Sequence, residues 1–289
     1  MDLSDLHIFK TVAEEGGIAR AAHKLHRVPS NISTRVKQLE QSIGTQLFVR
    51  DKQRLFLSPS GEHLLGYADR LLRLSAEAIG AVSKAPPRGL LRLGSLESTA
   101  ASRLPKILAQ YHEAYPEVRV ELVTGTNDAL TAAVLERRVE AAFVVEVPSS
   151  QELAAERLFR ERLVIISSLG HAPIRRARDI DGDSVIAFPN GCAYRRVLQH
   201  WLGPARVASV RVLELSSYHA IIACVASGTG VALVPESVLD TVQHATVARH
   251  PLPKVHGQVT TPLIWRAADA SAALLALRKV ATAAARVAR

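Results

Sequence analysis

Two short helical patterns separated by a tight turn constrain this chain more than any other feature. Apolar residues at helical spacing stop at Leu25 and start again at Ile32, and Pro29 lies between them. Proline fits the first turn of a helix because the amide it lacks would be unpaired there, and the small polar residues that follow it can cap that turn. The pattern therefore predicts two helices joined by a turn, the second over residues 30–42.

The outward face of the second helix carries short donors and cations. Such groups suit a helix that lies in the major groove of duplex DNA and touches base edges and phosphates. Two amphipathic helices with a short turn are also common in globular proteins, so this pattern alone leaves both interpretations open. The candidate DNA-binding residues of this region are Arg27, Pro29, Ser30, Asn31, Ser33, Thr34, Arg35 and Lys37.

A basic hairpin follows and favours the DNA-binding interpretation. Residues 47–49 and 55–57 are strand-like runs, and the tip between them holds Arg50, Lys52 and Arg54. A hairpin with a basic tip can lie on the phosphate backbone beside an inserted helix. We therefore predict a winged helix-turn-helix DNA-binding domain over residues 1–58, whose fold is otherwise all-α.

At this point the chain resembles a known family. The run L-x6-I-S-x2-V-x2-LE-x2-IG-x2-LF-x-R from Leu25 to Arg50, followed by LSPSG at 57–61, is similar to the amino-terminal domain of LysR-type transcriptional regulators. The size and order of the remaining chain also resemble that family. Three phrases, LHRVPSN, GSLESTA and NGCAYRR, look like those of the putrescine-utilisation regulators. The commonest family turn is Ser-Gln-Pro-Ala-Val-Ser, whereas VPSNIS at 28–33 moves the proline and loses the glutamine, so operator preference does not carry over.

A long helix is predicted after the hairpin, over residues 59–86. Apolar residues recur at helical spacing from Leu64 to Val82, and no proline follows until Pro86. About 25 residues make a helix of about 37 Å. Its apolar stripe has little nearby chain to cover it, so we expect it to pair with the same helix of another subunit. The alternative is a linker helix that packs on its own domain.

The pattern changes at the APPRG segment, residues 85–89, which we take as a domain boundary. Alternating strands and helices follow, which predicts an α/β domain with a mostly parallel sheet and helices on both faces. The predicted elements, in chain order, cover residues 90–94, 102–115, 118–123, 129–138, 141–145, 162–166, 185–187, 194–202, 207–213, 218–226, 231–234, 263–265 and a helix from 270. The resemblance implies a periplasmic-binding-protein-like effector-binding domain over residues 90–289. Its subdomain I would comprise about 90–161 and 264–289, and its subdomain II about 162–263.

Polar residues gather after the predicted strands, where open α/β sheets bind ligands. The resemblance places Ser98 and Thr126 at the family's two ligand-contacting hydroxyl positions. Any one of these side chains has helix capping as its alternative role. The candidate effector-binding residues are Ser95, Glu97, Ser98, Thr99, Thr126, Glu146, Asn190, Cys192, Tyr194, Tyr218 and His219.

Charge points to two classes of effector. Glu97 and Glu146 can face a cation, which suits an amine and, with the subgroup resemblance, a diamine such as putrescine. Arg195 and Arg196 keep an organic acid open as an alternative.

Composition limits the remaining functions. A net charge of +9 and a pI near 9.9 favour a polyanionic partner, and no apolar run is long enough to span a membrane, so we expect a cytoplasmic protein. Two cysteines, Cys192 and Cys224, are too few for a disulfide framework or a zinc site. We read them as buried hydrophobes, with a redox-sensing pair as the alternative. No catalytic motif is present, so no enzyme activity, metal or cofactor is expected, and a cleft-containing enzyme is the alternative from a different class of function. The expected partners are operator double-stranded DNA, a small-molecule effector and the chain itself, with RNA polymerase as a further candidate; the resemblance implies a homotetramer built as a dimer of dimers.

Overall fold

The computed structural model describes residues 1–51, 54–82, 86–147, 149–180, 184–242 and 246–287. They form two compact units, Met1–Ala85 and Pro86–Arg289. Within these ranges, no helix is both long and apolar enough to cross a lipid bilayer.

The first unit packs three short helices, a hairpin and one long helix around a small apolar core. Ile32, Val36 and Leu39 are buried against Ile8 and Phe9 of the first helix, as their helical spacing predicts. The elements are α1 (Leu3–Glu15), α2 (Ile18–Lys24), α3 (Pro29–Ile43), β1 (Phe48–Asp51), β2 (Arg54–Leu57) and α4 (Pro59–Val82).

The helix-turn-helix is where the sequence predicts it, but its cap is different. Pro29 is the first residue of α3, and Val28, in extended conformation, is the N-cap with no side-chain hydrogen bond. The prediction that small polar residues cap this turn is therefore wrong. Proline disfavours the helical conformation for the residue before it, so Val28 becomes the boundary and Ser30 lies inside the helix.

The hairpin is tied to the end of the second helix of the pair. Strands β1 and β2 pair antiparallel from Phe48 opposite Leu57 to Asp51 opposite Arg54, so both are longer than predicted. Oε1 of Glu40 accepts hydrogen bonds from the amides of Leu47 (2.8 Å) and Phe48 (3.2 Å), which fixes the hairpin to α3. Among the predicted wing cations, Lys52 and the side chains of Arg50 and Arg54 lie outside the described residues.

The second unit is built on one mixed sheet formed by nine strands of the described residues. Its strands are β3 (Gly89–Ser95), β4 (Val118–Thr124), β5 (Ala141–Phe143), β6 (Leu153–Ser167), β7 (Ser184–Ala187), β8 (Arg211–Glu214), β9 (Val231–Pro235), β10 (Ala248–Pro251) and β11 (Gln258–Arg266). Its helices are α5 (Glu97–Ser102), α6 (Leu104–Ala114), α7 (Asn127–Leu135), α8 (Ala193–Leu202), α9 (Pro204–Ser209), α10 (Tyr218–Ala226), α11 (Glu236–Leu239), α12 (Lys254–Gly257) and α13 (Ala272–Val287), with a 3-10 helix at Ala177–Ile180.

Two long antiparallel strands join the halves of this sheet. The strand order is β4-β3-β5-β11-β6-β9-β7-β8, and β6 pairs with β11 up to Arg162 and with β9 from Leu163 onward. The parallel pairs lie outside them, β3 with β4 and β5, and β7 with β8 and β9. The prediction of a mostly parallel sheet is therefore wrong at the centre, where β6 and β11 are antiparallel. The sequence pattern predicted a strand over only the apolar second half of β6, so it did not reveal the long pairing with β11.

Separate cores cover the two halves of the sheet. The first half, which we call subdomain I, packs α5, α6, α7 and α13 around β3, β4 and β5. The second half, subdomain II, packs α8 to α12 around β7, β9 and the end of β6. The helix predicted over residues 102–115 corresponds to α6, and the short helix α5 before it is separated from α6 by Arg103. Pro105 in the first turn of α6 has no amide to continue the hydrogen bonding of α5, which explains the break.

Candidate nucleic-acid interface and ligand cleft

One stripe of polar side chains follows the solvent side of α3. Ile32, Val36 and Leu39 hold the helix against the core, so residues on the opposite side point outward. The exposed residues are Pro29, Ser30, Asn31, Thr34, Lys37, Gln38 and Gln41, and exposed Arg27 precedes them in the turn. Gln41 was missed in the sequence, although its spacing of four from Lys37 and seven from Thr34 places it on the same face. The stripe offers amide, hydroxyl and ammonium donors to base edges or phosphates.

Arg35 lies at the edge of that stripe and faces the amino terminus of α1. Its Nη2 is 2.7 Å from Oδ1 of Asp5 and 3.2 Å from Oδ2 of Asp2. These two aspartates also cap α1, each accepting a hydrogen bond from the other's amide. The base-reading role predicted for Arg35 and for half-buried Ser33 stays a prediction, and the ion pair competes with it in the case of Arg35.

A cavity of about 190 Å³ lies between the two subdomains of the second unit. It opens where β3 and β4 end and where helices α5, α7, α8 and α10 begin, the position at which α/β sheets usually bind ligands. The lining residues are Leu96, Glu97, Ser98, Thr124, Gly125, Thr126, Phe188, Pro189, Cys192, Tyr194, Ser216 and Tyr218. Six of the predicted effector residues, Glu97, Ser98, Thr126, Cys192, Tyr194 and Tyr218, are among them.

The inner wall of the cavity combines aromatic rings with hydroxyl groups. The Oγ of Ser98 and the hydroxyl of Tyr194 are 3.4 Å apart across the cleft, and the rings of Phe188 and Tyr218 are 4.7 Å apart. Burial raises the pKa of both tyrosines well above the ordinary value of 10.0, so both keep their protons and remain hydrogen-bond donors.

Glu97 is the charged group of this lining. Its Oε1 lies 3.5 Å from the amide of Tyr218, whereas its Oε2 is buried without a hydrogen-bond partner in the structure. Burial raises the pKa of this carboxyl above its usual range, although the Tyr218 amide and the charge of His219 act in the opposite direction. No lysine, arginine or histidine is among the described lining residues, so the lining itself gives this buried oxygen no cationic hydrogen-bond donor, and the nearby His219 lies outside the lining.

The other predicted effector residues lie outside the lining. Ser95 is buried and its Oγ donates to the carbonyl of Leu96, and Thr99 is buried as well. Asn190 and His219 are exposed at the surface beside the cleft. Glu146 is bound by Arg196, Nε to Oε2 at 2.9 Å. Among the lining residues missed in the sequence, Leu96, Phe188 and Pro189 carry no polar group that could have marked them.

Metal binding has no support in the described part of the chain, where no group of three or more histidine, cysteine or acidic side chains is placed to hold an ion. Cys192 is buried in the cavity wall, and burial raises the pKa of its thiol, which disfavours the reactive thiolate.

Comparison with known protein families identifies the family of this chain. The family described as "LysR substrate binding domain" matches residues 84–286, and the family described as "Bacterial regulatory helix-turn-helix protein, lysR family" matches residues 3–62. The chain belongs to the LysR family of transcriptional regulators. These are DNA-binding proteins with an effector-binding domain and not enzymes, so the predictions of family, fold class and regulatory function are confirmed at this level.

Relatives and solved structures extend over almost the whole of this LysR-type regulator. It is 33% identical to the HTH-type transcriptional regulator GltR of Bacillus subtilis over 92% of this chain and 90% of that protein. It is 34% identical to the regulator YofA of Bacillus velezensis over 92% of each. Among solved structures, full-length OxyR from Pseudomonas aeruginosa aligns with a TM-score of 0.73 at 20% identity, covering 99% of this chain and 95% of that one. CbnR in complex with its target DNA aligns with a TM-score of 0.69 at 20% identity, covering 98% and 100%.

Proposed function

We propose that this LysR-type regulator binds operator DNA in the cytoplasm through the outward stripe of α3, and that a small amine in the cleft modulates this binding. Thr34, Lys37 and Gln38 are exposed polar side chains in the middle of α3. Lysine contacts to phosphate supply salt-dependent affinity, while hydroxyl and amide groups read base edges. The predicted wing cations and a contact with RNA polymerase stay predictions.

Self-association through α4 is the second part of the proposal. Tyr67, Leu71 and Leu74 are exposed on this helix at spacings of four and three, so they form one apolar stripe on its surface. A second copy of α4 offers a matching stripe, and two recognition helices would then meet two half-sites. A tetramer made of two such dimers follows from the family resemblance.

The amine proposal is carried by the buried, unpartnered Oε2 of Glu97. A ligand ammonium would give this oxygen a charge-assisted hydrogen bond, and the aromatic wall would cover the ligand's carbon chain. Putrescine is the first amine to test because of the subgroup resemblance. An organic acid is the second candidate, favoured by the helix amino termini at the cavity, which carry partial positive charge. Arg195 and Arg196 do not support it, since both bind protein carboxylates.

Isothermal titration of the full chain with putrescine, cadaverine, butylamine and succinate tests this assignment. We expect heat with the amines and none with succinate. Glu97→Gln should weaken amine binding by about tenfold or more, because a charge-assisted bond contributes about 1.5–3 kcal/mol. Glu136→Gln, which alters an exposed pair with Arg138 in subdomain I, serves as the control and should bind as the parent does. Binding of succinate alone would refute the amine proposal.

Operator binding is tested by footprinting upstream of the regulator's own gene. Lys37→Ala should reduce affinity for specific and random duplex alike and lower the salt dependence by about one charge. Thr34→Ala should reduce operator affinity with little effect on random duplex. A chain that ignores double-stranded DNA at low ionic strength would contradict the proposal.

A further inference from the structure

An arginine bridges the two subdomains at the solvent side of the cleft. Arg196 projects from α8 of subdomain II, and its guanidinium binds two carboxylates of subdomain I. Nη1 and Nη2 lie 3.1 and 3.2 Å from the two oxygens of Asp128, and Nε and Nη2 lie 2.9 and 2.5 Å from Oε2 of Glu146. The three side chains are 37%, 62% and 47% exposed, so this contact faces water, whereas the Ser98–Tyr194 contact lies inside.

The carboxylates are held in place by their own subdomain. Asn127 is 3% exposed; its Oδ1 accepts from the amides of Val145 (2.9 Å) and Glu146 (3.0 Å), and its Nδ2 donates to the carbonyl of Glu146 (3.1 Å). Asn127 thus fixes the backbone of Glu146. Asp128 directly follows Asn127 in the chain, so the two carboxylates are held near each other. The two acids form one preorganised receptor for a guanidinium, and Arg196 meets both with paired donors.

The same turn forms part of the cavity wall. Thr126 caps α7, lines the cavity and faces Gly191 of subdomain II, where an added Cβ would lie 3.2 Å from its Oγ1. Subdomain II therefore touches subdomain I closely at the cavity and again, through Arg196, at its outer side. In the described part of the second unit, the chain crosses between the subdomains in β6 and in β11, and the pairing of these strands is irregular between Thr261 and Pro262. A bulge in a crossing strand is a natural point for bending.

We propose that Arg196, Asp128 and Glu146 form a latch that holds the effector cleft closed and sets how often it opens. Thr126 of the cavity wall precedes Asp128 by two residues, and Arg196 joins the two subdomains, so opening the subdomains at β6 and β11 requires this contact to break. Exposed ion pairs contribute little stability. Two such pairs that share Arg196 therefore favour the closed state but still allow it to open by thermal motion. The latch concerns cleft opening and stands whether or not the effector is an amine.

Cys192 supplies a probe of opening within the native chain. It lies in the cavity wall, is 7% exposed, and is one of two cysteines, so Cys224→Ser leaves it as the sole thiol. Alkylation by iodoacetamide, a small neutral reagent, then proceeds in proportion to the open fraction. In this background we compare Arg196→Gln with Arg162→Gln. Arg162 binds Glu236 by a similar two-bond contact (2.6 and 2.9 Å) that does not involve α8 or the cavity.

The expected result is an alkylation rate about three- to tenfold higher in Arg196→Gln at low salt, from the loss of two exposed pairs. Arg162→Gln should stay within about twofold of the parent. The charge of Arg196 lowers the pKa of the Cys192 thiol, so its removal without opening would slow the reaction rather than speed it. A rate in Arg196→Gln equal to or below that of the parent overturns the latch.

Salt provides a second test, whose first measurement uses the chain without a change in the latch. At about 1 M ionic strength the Debye length falls to about 3 Å, so the latch of the parent should be screened and its alkylation should accelerate. The same salt should change Arg196→Gln by less than twofold. In the triple variant Arg196→Gln with Asp128→Asn and Glu146→Gln, the rate should not exceed that of Arg196→Gln alone, because all three changes remove one contact. An alkylation rate in the triple variant that exceeds that of Arg196→Gln would count against the proposal. So would an alkylation rate of the parent that does not change with salt.

Discussion

The buried carboxylate of Glu161 offers the strongest test of how the two subdomains are tied together. It is 4% exposed and lies on β6, where it binds Nε and Nη2 of Arg103 at 2.7 and 3.1 Å. It also accepts a hydrogen bond from Ser237 Oγ at 2.7 Å. Arg103 belongs to subdomain I and Ser237 to subdomain II, so a single carboxylate connects both to the crossing strand. Glu161→Gln keeps the shape but removes the charge and replaces one of the two acceptor oxygens with an amide NH2, which cannot accept a hydrogen bond.

The size of the effect follows from burial. Breaking a fully buried ion pair costs about 3–5 kcal/mol because the remaining charge loses its partner. The Arg103 side chain is 26% exposed and can take up water, which reduces the cost, so we expect a loss of about 2–3 kcal/mol. The matched change Glu236→Gln removes a carboxylate from Arg162, which is 63% exposed, and should cost clearly less, because water screens an exposed pair.

Urea unfolding followed by tryptophan fluorescence measures this difference. The two tryptophans, Trp201 and Trp265, both lie in the second unit, so their emission reports the unfolding of that unit. We expect the midpoint to fall for Glu161→Gln at unchanged slope, by at least twice the fall seen for Glu236→Gln. Equal losses in the two variants would refute the reasoning, because they would mean that the buried contact contributes no more than a surface pair.

Three further perturbations have defined outcomes. Burial, with a smaller effect of the nearby His171 charge, lowers the pKa of His250 below its ordinary 6.5, so the unfolded chain takes up that proton first. Stability should therefore fall as the pH drops below 6.5, and His250→Gln should lessen the fall in urea midpoint between pH 7.5 and 5.5; an unchanged pH dependence would contradict this. Leu74→Glu places a charge on the exposed stripe of α4 and should shift the chain toward monomer in sedimentation equilibrium, whereas an unchanged mass would exclude this stripe as the interface. Arg35→Ala leaves Asp5, 12% exposed, without its cation, and should cost about 1 kcal/mol of local stability, measured as faster amide exchange in α1 and α3; unchanged exchange would show that the pair is not structural.

Local patterns predicted local structure well and long-range pairing poorly. Helix α10 spans Tyr218–Ala226, which are the bounds that its apolar spacing predicts. The nine residues form more than two helical turns, so the local pattern is sufficient to define the helix. The first half of β6 was missed because apolar and charged residues come there in pairs, AAERLFRE over 154–161, without the one-to-one alternation that indicates a strand. Only its pairing with β11 makes it a strand. The partners of Arg35 and Arg196 are 30 or more residues away in sequence, where neither propensity nor spacing gives a signal.

Three glutamates of the effector domain show why the same residue type takes different roles. Glu161 is buried and fully bonded, so its role is structural, and Glu146 is occupied by Arg196, which makes it part of a closure contact. Glu97 alone among the three retains a buried oxygen without a partner in the structure. Desolvating a carboxylate costs free energy unless a donor replaces water, so an unsatisfied oxygen in a cavity is a position where a ligand donor gains most. Sequence reasoning predicted Glu97 and Glu146 equally as effector-binding residues. The occupancy of their oxygens by protein donors supports the proposed ligand role for Glu97 and the proposed latch role for Glu146.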